Sequence, residues 1–244
     1  MNTTLAICRR EVRAYFTTPL AYVFIVVFVA LNGATAFYFG NLFDRGQADL
    51  QPLFGFQPWL YLILVPAVAM RLWAEERKAG TLEMLMTLPV STTEAVFGKF
   101  LAAWIFTGIA LALTFPMWIT VNYLGNPDNG VILASYLGSL LMAGAYLSIG
   151  GFVSALTRNQ VIAFVIGAAV IFLFMMSGLE LVLSVFQGWA PGFVVDLVQS
   201  LSFLTHYDSI VQGVIDLRDL IFFLAVMTLF LFANVVVVDL KRGS

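Results

Sequence analysis

The sequence is poor in charge and nearly without cysteine or histidine. Only 11% of its 244 residues are charged, against about 25% in an average soluble domain. In contrast, 61% are hydrophobic and the mean hydropathy is +0.95. A chain of this length cannot hide so much apolar surface by folding on itself, so we expect lipid to cover much of it. The single cysteine, Cys8, excludes an internal disulfide, and the single histidine, His206, argues against a structural zinc site.

Signatures of catalysis and of nucleotide binding are also missing. The chain has no phosphate-binding loop of the form Gly-x4-Gly-Lys-Ser/Thr. It has no His-Glu-x-x-His or Gly-x-Ser-x-Gly motif either. We therefore expect no enzymatic activity, no metal site and no cofactor in this chain. A net charge of −2 argues against nucleic acid as a partner.

Long apolar segments predict an all-α, multi-pass membrane protein. A membrane-spanning helix needs about 20 mostly apolar residues. Six segments qualify: Ala21–Phe39, Phe56–Trp73, Phe100–Tyr123, Ala134–Leu156, Val161–Phe186 and Leu220–Val238. Pro58 and Pro66 interrupt the second segment, and we expect a kink near Pro66. No segment between them is long enough for a soluble domain, so residues 1–244 are predicted to form one transmembrane domain.

Basic residues predict the orientation of these spans. Ten of the twelve lysines and arginines fall on one side: Arg9, Arg10, Arg13, Arg71, Arg77, Lys78, Lys99, Arg158, Lys241 and Arg242. Arg45 and Arg218 fall on the other. Because basic residues stay in the cytoplasm, we expect both termini there and the protein in the inner (cytoplasmic) membrane.

The N-terminal residues 1–19 have the pattern of an amphipathic helix lying on the membrane surface. Apolar residues recur at helical spacing, while charged residues occupy the other faces. The apolar set is Leu5, Cys8, Val12 and Tyr15, and the charged set is Arg9, Arg10 and Arg13. The helix is either a simple anchor beside the membrane or a lever that contacts a cytosolic partner.

The largest cytoplasmic loop, residues 74–99, predicts a short helix joined directly to the third span. Leu82, Leu85 and Met86 form a helical stripe after Gly80, and Pro89 ends it. Ser91 and Glu94 then match a capping box that opens the third span. Such a helix can pass a push from the cytosol into the membrane, although an ordinary solvated loop with a charged start fits the same pattern.

The outer segment 187–219 is too apolar for an ordinary loop. Its apolar residues follow the three-four spacing of a helix: Val194, Leu197, Val198, Leu201 and Leu204. We therefore predict a re-entrant or surface-lying pair of helices that caps the outer ends of the spans.

Three polar residues are candidates for a pathway or an outer gate: Glu180, His206 and Asp208. Glu180 is the only acid predicted inside a span, where a charge must face water or a partner. It either lies in the substrate path or is a hydrogen-bonded structural residue near the interface. For His206 a hydrogen-bonded structural role is favoured over a proton relay. Small residues in the fourth span, such as Gly144 and Gly151, allow close helix packing within the subunit or at a subunit interface.

Short motifs in the 74–99 loop resemble those of ABC-2 type transporter permeases. They are Glu75-Glu76-Arg77-Lys78-Ala79-Gly80-Thr81-Leu82-Glu83, then Leu88-Pro89-Val90-Ser91, then Gly98-Lys99. In that family they occur in this order between spans two and three of a six-span, N-in chain. A weaker similarity, in His206-Tyr207-Asp208 and residues 213–219, resembles the gliding-motility branch.

The resemblance implies that the loop helix is a coupling helix seated in a groove of a cytosolic ABC ATPase, which holds the ATP and magnesium. The implied ATPase-coupling residues are Glu75, Glu76, Gly80, Thr81, Leu82, Glu83, Leu85, Leu88 and Pro89. It also implies a second permease half, identical or paralogous, with a path lined by spans one, two and five. The outer segment would form a lid, and a large extracytoplasmic accessory subunit is a further candidate partner besides the lipid bilayer.

Three functions are therefore compared. The first is the permease subunit of an exporter, driven by a separate ATPase. The second is a membrane scaffold of an ATPase-driven machine that transmits force instead of transporting a substrate. The third, a secondary transporter, predicts paired charges inside the membrane and ranks last, because only Glu180 is predicted there.

Overall fold

The computed structural model describes residues 3–80, 90–187 and 191–241, and for 186 and 187 the backbone alone. Within these ranges the chain is helical and contains no strand, which confirms the all-α part of the predicted fold class. The helices are α1 (Thr3–Thr17), α2 (Pro19–Ala34), α3 (Gln51–Gly55), α4 (Gln57–Ala69), α5 (Arg71–Ala79), α6 (Thr92–Ala112), α7 (Phe115–Leu124), α8 (Asn129–Leu156), α9 (Gln160–Met176), α10 (Glu180–Gln187), α11 (Gly192–Ser200), α12 (Phe203–Val211) and α13 (Leu217–Leu240). A π-helical segment, Thr35–Phe39, continues α2.

Four helical stretches in the described part are long and apolar enough to cross a membrane. They are Pro19–Phe39, Thr92–Leu124, Asn129–Leu156 and Leu217–Leu240. They correspond to the first, third, fourth and sixth predicted spans. The helix Gln160–Met176 is also apolar but has only 17 residues.

The second predicted span is divided at Met70, one turn beyond Pro66. The first amide groups of a helix have no hydrogen-bond acceptor within that helix. Helix α8 supplies an acceptor for the first amide groups of α5. The Ser154 hydroxyl accepts hydrogen bonds from the backbone N–H groups of Trp73 and Ala74, each at 3.1 Å, and donates to the Met70 carbonyl at 2.9 Å. The break is therefore stabilised by a contact from a distant helix as well as by the local proline.

The fifth predicted span, Val161–Phe186, is wrong as one continuous helix. Helix α9 ends at Met176, and α10 starts at Glu180. At Gly178, between them, a Cβ atom would lie 2.4 Å from the Ser202 hydroxyl oxygen. The start of α12 thus occupies the space beside the chain at this point, which admits only a glycine. The close packing of Ser202 against Gly178 reveals this turn, whereas hydropathy alone does not predict it.

Helix α8 forms the centre of the bundle, and its glycines allow neighbouring helices to approach closely. A Cβ at Gly138 would lie 2.7 Å from Ile210 of α12, and one at Gly144 would lie 2.6 Å from the Met227 sulfur of α13. One at Gly150 would lie 2.5 Å from Cβ of Ala69 in α4. The small residues of this span are therefore used for packing within the chain.

Most of the basic residues lie at one end of the bundle, here called the basic end. The Arg77 guanidinium and the Lys241 ammonium both donate hydrogen bonds to the Ala155 carbonyl, at 2.9 and 3.0 Å. Lys241 also donates to the Leu156 carbonyl at 2.8 Å. These contacts satisfy the unpaired carbonyls at the end of α8 and place cations at its negative pole.

Candidate functional site

A buried lysine at the basic end connects three helices. The Lys99 ammonium of α6 lies 2.8 Å from Glu76 Oε1 of α5 and 3.6 Å from Glu11 Oε2 of α1. It also lies 5.4 Å from the ring centroid of Trp73. Its side chain is only 4% exposed. We call Lys99, Glu11 and Glu76 the Lys99 cluster.

The buried charge of Lys99 makes the Lys99 cluster a stable connection between α1, α5 and α6. A buried ammonium is costly unless it is paired and hydrogen-bonded. The carboxylates that pair with it are themselves about 20% exposed, so removal of the lysine leaves two partly buried negative charges. Any movement that separates α5, α6 and α1 must therefore break these contacts together.

A second ion pair lies beside the Lys99 cluster on α5. The Arg71 guanidinium donates two hydrogen bonds to Glu75, at 2.8 and 3.1 Å. These hydrogen bonds lower the pKa of Glu75 below its ordinary value. Two residues predicted to contact an ATPase, Glu75 and Glu76, are thus both engaged within the chain, although the Glu75 side chain remains 47% exposed. Their predicted role toward a partner stays a prediction.

The ends of the predicted coupling segment are well defined. Helix α5 ends at Ala79, and the next residue, Gly80, donates its N–H to the Glu76 carbonyl. Gly80 has a φ of +71°, a left-handed backbone conformation that favours glycine. On the far side, Ser91 and Glu94 form the predicted capping box, with hydrogen bonds of 3.0 and 3.2 Å. The remaining predicted coupling residues lie outside the described residues: Thr81, Leu82, Glu83, Leu85, Leu88 and Pro89.

Helix α1 is present where the sequence predicted it, and most of its predicted apolar face packs against the protein, with Leu5 as the exception. Ile7 and Cys8 are buried, and the Tyr15 ring stacks on Phe106 at 4.9 Å. Leu5, predicted on the apolar face, is 65% exposed. The face is set by Gly98 of α6, which gives Ile7 a close approach. Exposed residues of α1 include the predicted set Arg9, Arg10 and Arg13, and Arg10 pairs with the neighbouring Glu11 at 2.7 Å.

At the opposite end of the bundle, His206 is buried between two acceptors. Its Nδ1 lies 2.6 Å from Asp219 Oδ1, and its Nε2 lies 3.0 Å from the Ser200 carbonyl. A ring nitrogen that carries a hydrogen donates it to the oxygen that it faces. The Phe222 ring stacks on the imidazole at 4.1 Å. The pair connects α12 to the start of α13, in keeping with the structural role favoured for His206.

Sequence reasoning missed Asp219 as the partner of His206. The available signal was an acid in the first turn of the last span, where a carboxylate also favours the helix N-terminus. A cavity of about 430 Å³ adjoins the pair. Its lining is mainly polar and includes Asp196, Gln199, Thr205, Ser209, Asp216 and Arg218. Among the described residues no group of three or more potential ligands could hold a metal ion.

Glu180 does not lie inside one continuous helix over Val161–Phe186, which corrects the helix predicted around it. It is the exposed first residue of α10, because the chain turns between Met176 and Glu180. A carboxylate in the first turn of a helix interacts favourably with the helix dipole. No ion pair joins it to His206 or Asp208 in the described part of the chain. Asp208 is an exposed residue of α12, and partial desolvation raises the pKa of its carboxyl.

Helix α12 penetrates well into the bundle. The Tyr207 hydroxyl lies 2.7 Å from the Ser139 hydroxyl and donates to the Phe54 carbonyl at 3.3 Å. Ser139 lies ten residues into α8, or about 15 Å at 1.5 Å per residue. Helix α11, by contrast, has no buried residue. The pair of helices predicted in segment 187–219 is thus present, with one member inserted and one exposed.

Comparison with known proteins identifies a family that matches nearly the whole chain. A family model described as "ABC-2 family transporter protein" matches residues 5–240, from α1 to the end of α13. No curated protein matches the chain. The family match confirms the resemblance seen in the 75–99 motifs, whereas the gliding-motility branch stays a prediction.

Proposed function

The chain belongs to the ABC-2 family of transporter proteins, and from this premise we propose that it couples ATP hydrolysis in a separate cytosolic subunit to export of a substrate. Membership of the family makes it a multi-pass membrane protein and the permease component of an ABC transporter. It also implies association with an ABC ATPase, which would hold ATP and magnesium. This chain would supply the membrane path and the mechanical connection.

We place six crossings in the inner membrane, with both termini in the cytoplasm. Four of them are the long apolar stretches. The fifth comprises α4 and the start of α5, up to Trp73, and the sixth is α9. Helix α9, at 17 residues, is about 25 Å long, close to the hydrocarbon thickness of about 30 Å. Contacts that gather Lys99, Arg77 and Lys241 at the basic end support an inward orientation for that end.

The Lys99 cluster is the observation that carries the coupling proposal. It joins α5 and α6, the helices that enter and leave the segment 81–89, and it adds α1. A force applied to the segment 81–89 would therefore be transmitted to α6 and α1 through the Lys99 cluster. It would also reach α8, because Ser154 binds the start of α5.

Two variants test the coupling role directly. Charge reversal in Glu83→Arg and helix disruption in Leu85→Pro should each abolish stimulated ATP hydrolysis by the co-encoded ATPase, since both alter the proposed contact surface. The measurements are co-purification of the ATPase from membranes and its hydrolysis rate in lipid nanodiscs.

The matched control is Asp44→Arg, which makes a charge reversal on an exposed residue outside every proposed site. It should keep both ATPase binding and stimulation. Stoichiometric ATPase binding with full stimulation in both coupling variants would contradict the assignment of 80–89 as the coupling segment.

A further inference from the structure

Four polar side chains inside the bundle are completely buried and carry polar atoms without a partner. Asn32 of α2, Gln57 and Tyr61 of α4, and Tyr146 of α8 each have 0% exposure. Within the described residues, no hydrogen bond reaches Asn32 Oδ1, either polar atom of the Gln57 amide, or the hydroxyls of Tyr61 and Tyr146. Burial of so many unpaired groups is unfavourable, because each has lost its hydrogen bonds to water.

Asn32, Gln57 and Tyr61 lie at neighbouring levels of two antiparallel helices. The ring of Phe28 stacks on Tyr61 at 5.9 Å. Asn32 lies one turn beyond Phe28 on α2, and Gln57 lies one turn before Tyr61 on α4. Because the two helices run in opposite directions, both amides are displaced toward the same end of the bundle. The Gln57 amide and the Tyr61 hydroxyl are within reach of each other, yet no hydrogen bond of acceptable geometry joins them.

Tyr146 belongs to the same polar interior. Tyr146 lies one turn before Gly150, the point at which α8 contacts Ala69 of α4. Its ring packs on Phe203 of α12 at 5.0 Å, one turn from Tyr207. Tyr207 is equally buried, at 0% exposure, but its hydroxyl is satisfied by Ser139 and the Phe54 carbonyl. The interior therefore contains two phenols that lack partners beside one that has them.

We propose that this chain holds ordered water between α2, α4 and α8, bound by Asn32, Gln57, Tyr61 and Tyr146. The unpaired atoms include an acceptor on Asn32, a donor and an acceptor on Gln57, and two hydroxyl groups. Water can both donate to and accept from these atoms, and buried waters typically make about three hydrogen bonds to such groups. The bound water connects α2 and α4 through hydrogen bonds. When the helices shift, these hydrogen bonds can break and re-form with other partners.

X-ray radiolytic footprinting with mass spectrometry tests this site in the full chain reconstituted in lipid nanodiscs. Hydroxyl radicals formed from bound water modify an adjacent tyrosine even where bulk solvent has no access. Tyr61 and Tyr146 should be modified several-fold faster than Tyr207, the internal control with the same burial. Tyr123, which is 90% exposed, marks the rate for open solvent. Rates for Tyr61 and Tyr146 equal to that of Tyr207 would overturn the proposal.

A variant locates the water more closely. Gln57→Met keeps the length of the side chain and removes its hydrogen-bonding atoms, so the modification rate of Tyr61 should fall toward that of Tyr207. An unchanged Tyr61 rate in the folded variant would overturn the assignment of Gln57 to the site. Where the variant does not fold, the comparison among wild-type tyrosines still decides whether water is bound.

Discussion

Replacement of Lys99 by methionine removes the ammonium group shared by Glu11 and Glu76. Methionine retains much of the apolar stem that packs beside Trp73. The structure therefore predicts a loss that is mainly electrostatic, because two partly buried carboxylates lose the ammonium group that they share.

The expected destabilisation can be worked out from the burial of the three groups. Removal of one partner of a buried ion pair costs about 3–5 kcal/mol. The lysine is 4% exposed but the carboxylates are 20% exposed, which favours the lower end, about 3 kcal/mol. For a chain of this size that corresponds to a fall in Tm of about 6–12 °C.

Thermal unfolding of the purified chain in detergent, followed by circular dichroism, measures this change. The double variant Lys99→Met with Glu76→Gln should be more stable than Lys99→Met alone, because it removes one of the two carboxylate charges that lose the Lys99 ammonium. The control is Lys78→Met, a neighbouring exposed lysine, for which a change within about 0.5 kcal/mol is expected. If the Lys99→Met variant unfolded at the same temperature as the Lys78→Met variant and the wild-type chain, the buried-pair reasoning would be refuted.

Three further substitutions are predicted from individual contacts. Ser154→Ala should destabilise the chain by about 1–3 kcal/mol, since two amide groups at the start of α5 lose their acceptor, as measured by denaturant unfolding. Gly150→Ala should cost about 1–3 kcal/mol, because its methyl group would overlap Ala69, as measured by the Tm. Tyr207→Phe should cost about 1 kcal/mol through loss of the hydrogen bond with Ser139, as measured by the same unfolding assay.

Each of these substitutions has a control or an outcome that contradicts it. Gly55→Ala introduces the same methyl group where no atom lies within 4 Å, so Gly150→Ala must be clearly the more harmful of the two. Ser184→Ala removes a hydroxyl that only caps a carbonyl of its own exposed turn. Equal effects of Ser154→Ala and Ser184→Ala would contradict the role of Ser154 at the break in α4–α5. An unaltered unfolding curve for Tyr207→Phe would contradict the insertion of α12 against α8.

Local sequence patterns predicted the elements whose signals lie within one segment. The capping box at Ser91 and Glu94 was predicted correctly, because both residues lie within one helical turn. The helix over residues 3–17 was predicted for the same reason, although its buried face was partly misassigned at Leu5. The buried face of α1 depends on Gly98 of α6, which leaves space for Ile7. The spacing of apolar residues within α1 does not contain this information.

Predictions that required distant contacts could not be made in this way. The Lys99 cluster joins residues 11, 76 and 99, and no single periodic pattern contains all three. His206 meets Asp219 across the boundary between two helices. The misplacement of Glu180 has the same origin, since hydropathy averages over the turn at Gly178 and only the approach of Ser202 reveals it.

By itself the sequence determined that this is an all-helical membrane protein of the ABC-2 family, because composition and ordered short motifs are carried by neighbouring residues. Only the tertiary structure decided which charges are paired, where the second and fifth predicted spans break, and which buried polar groups lack partners. Those features depend on which helix faces meet, and that is set by the packing of segments far apart in the chain.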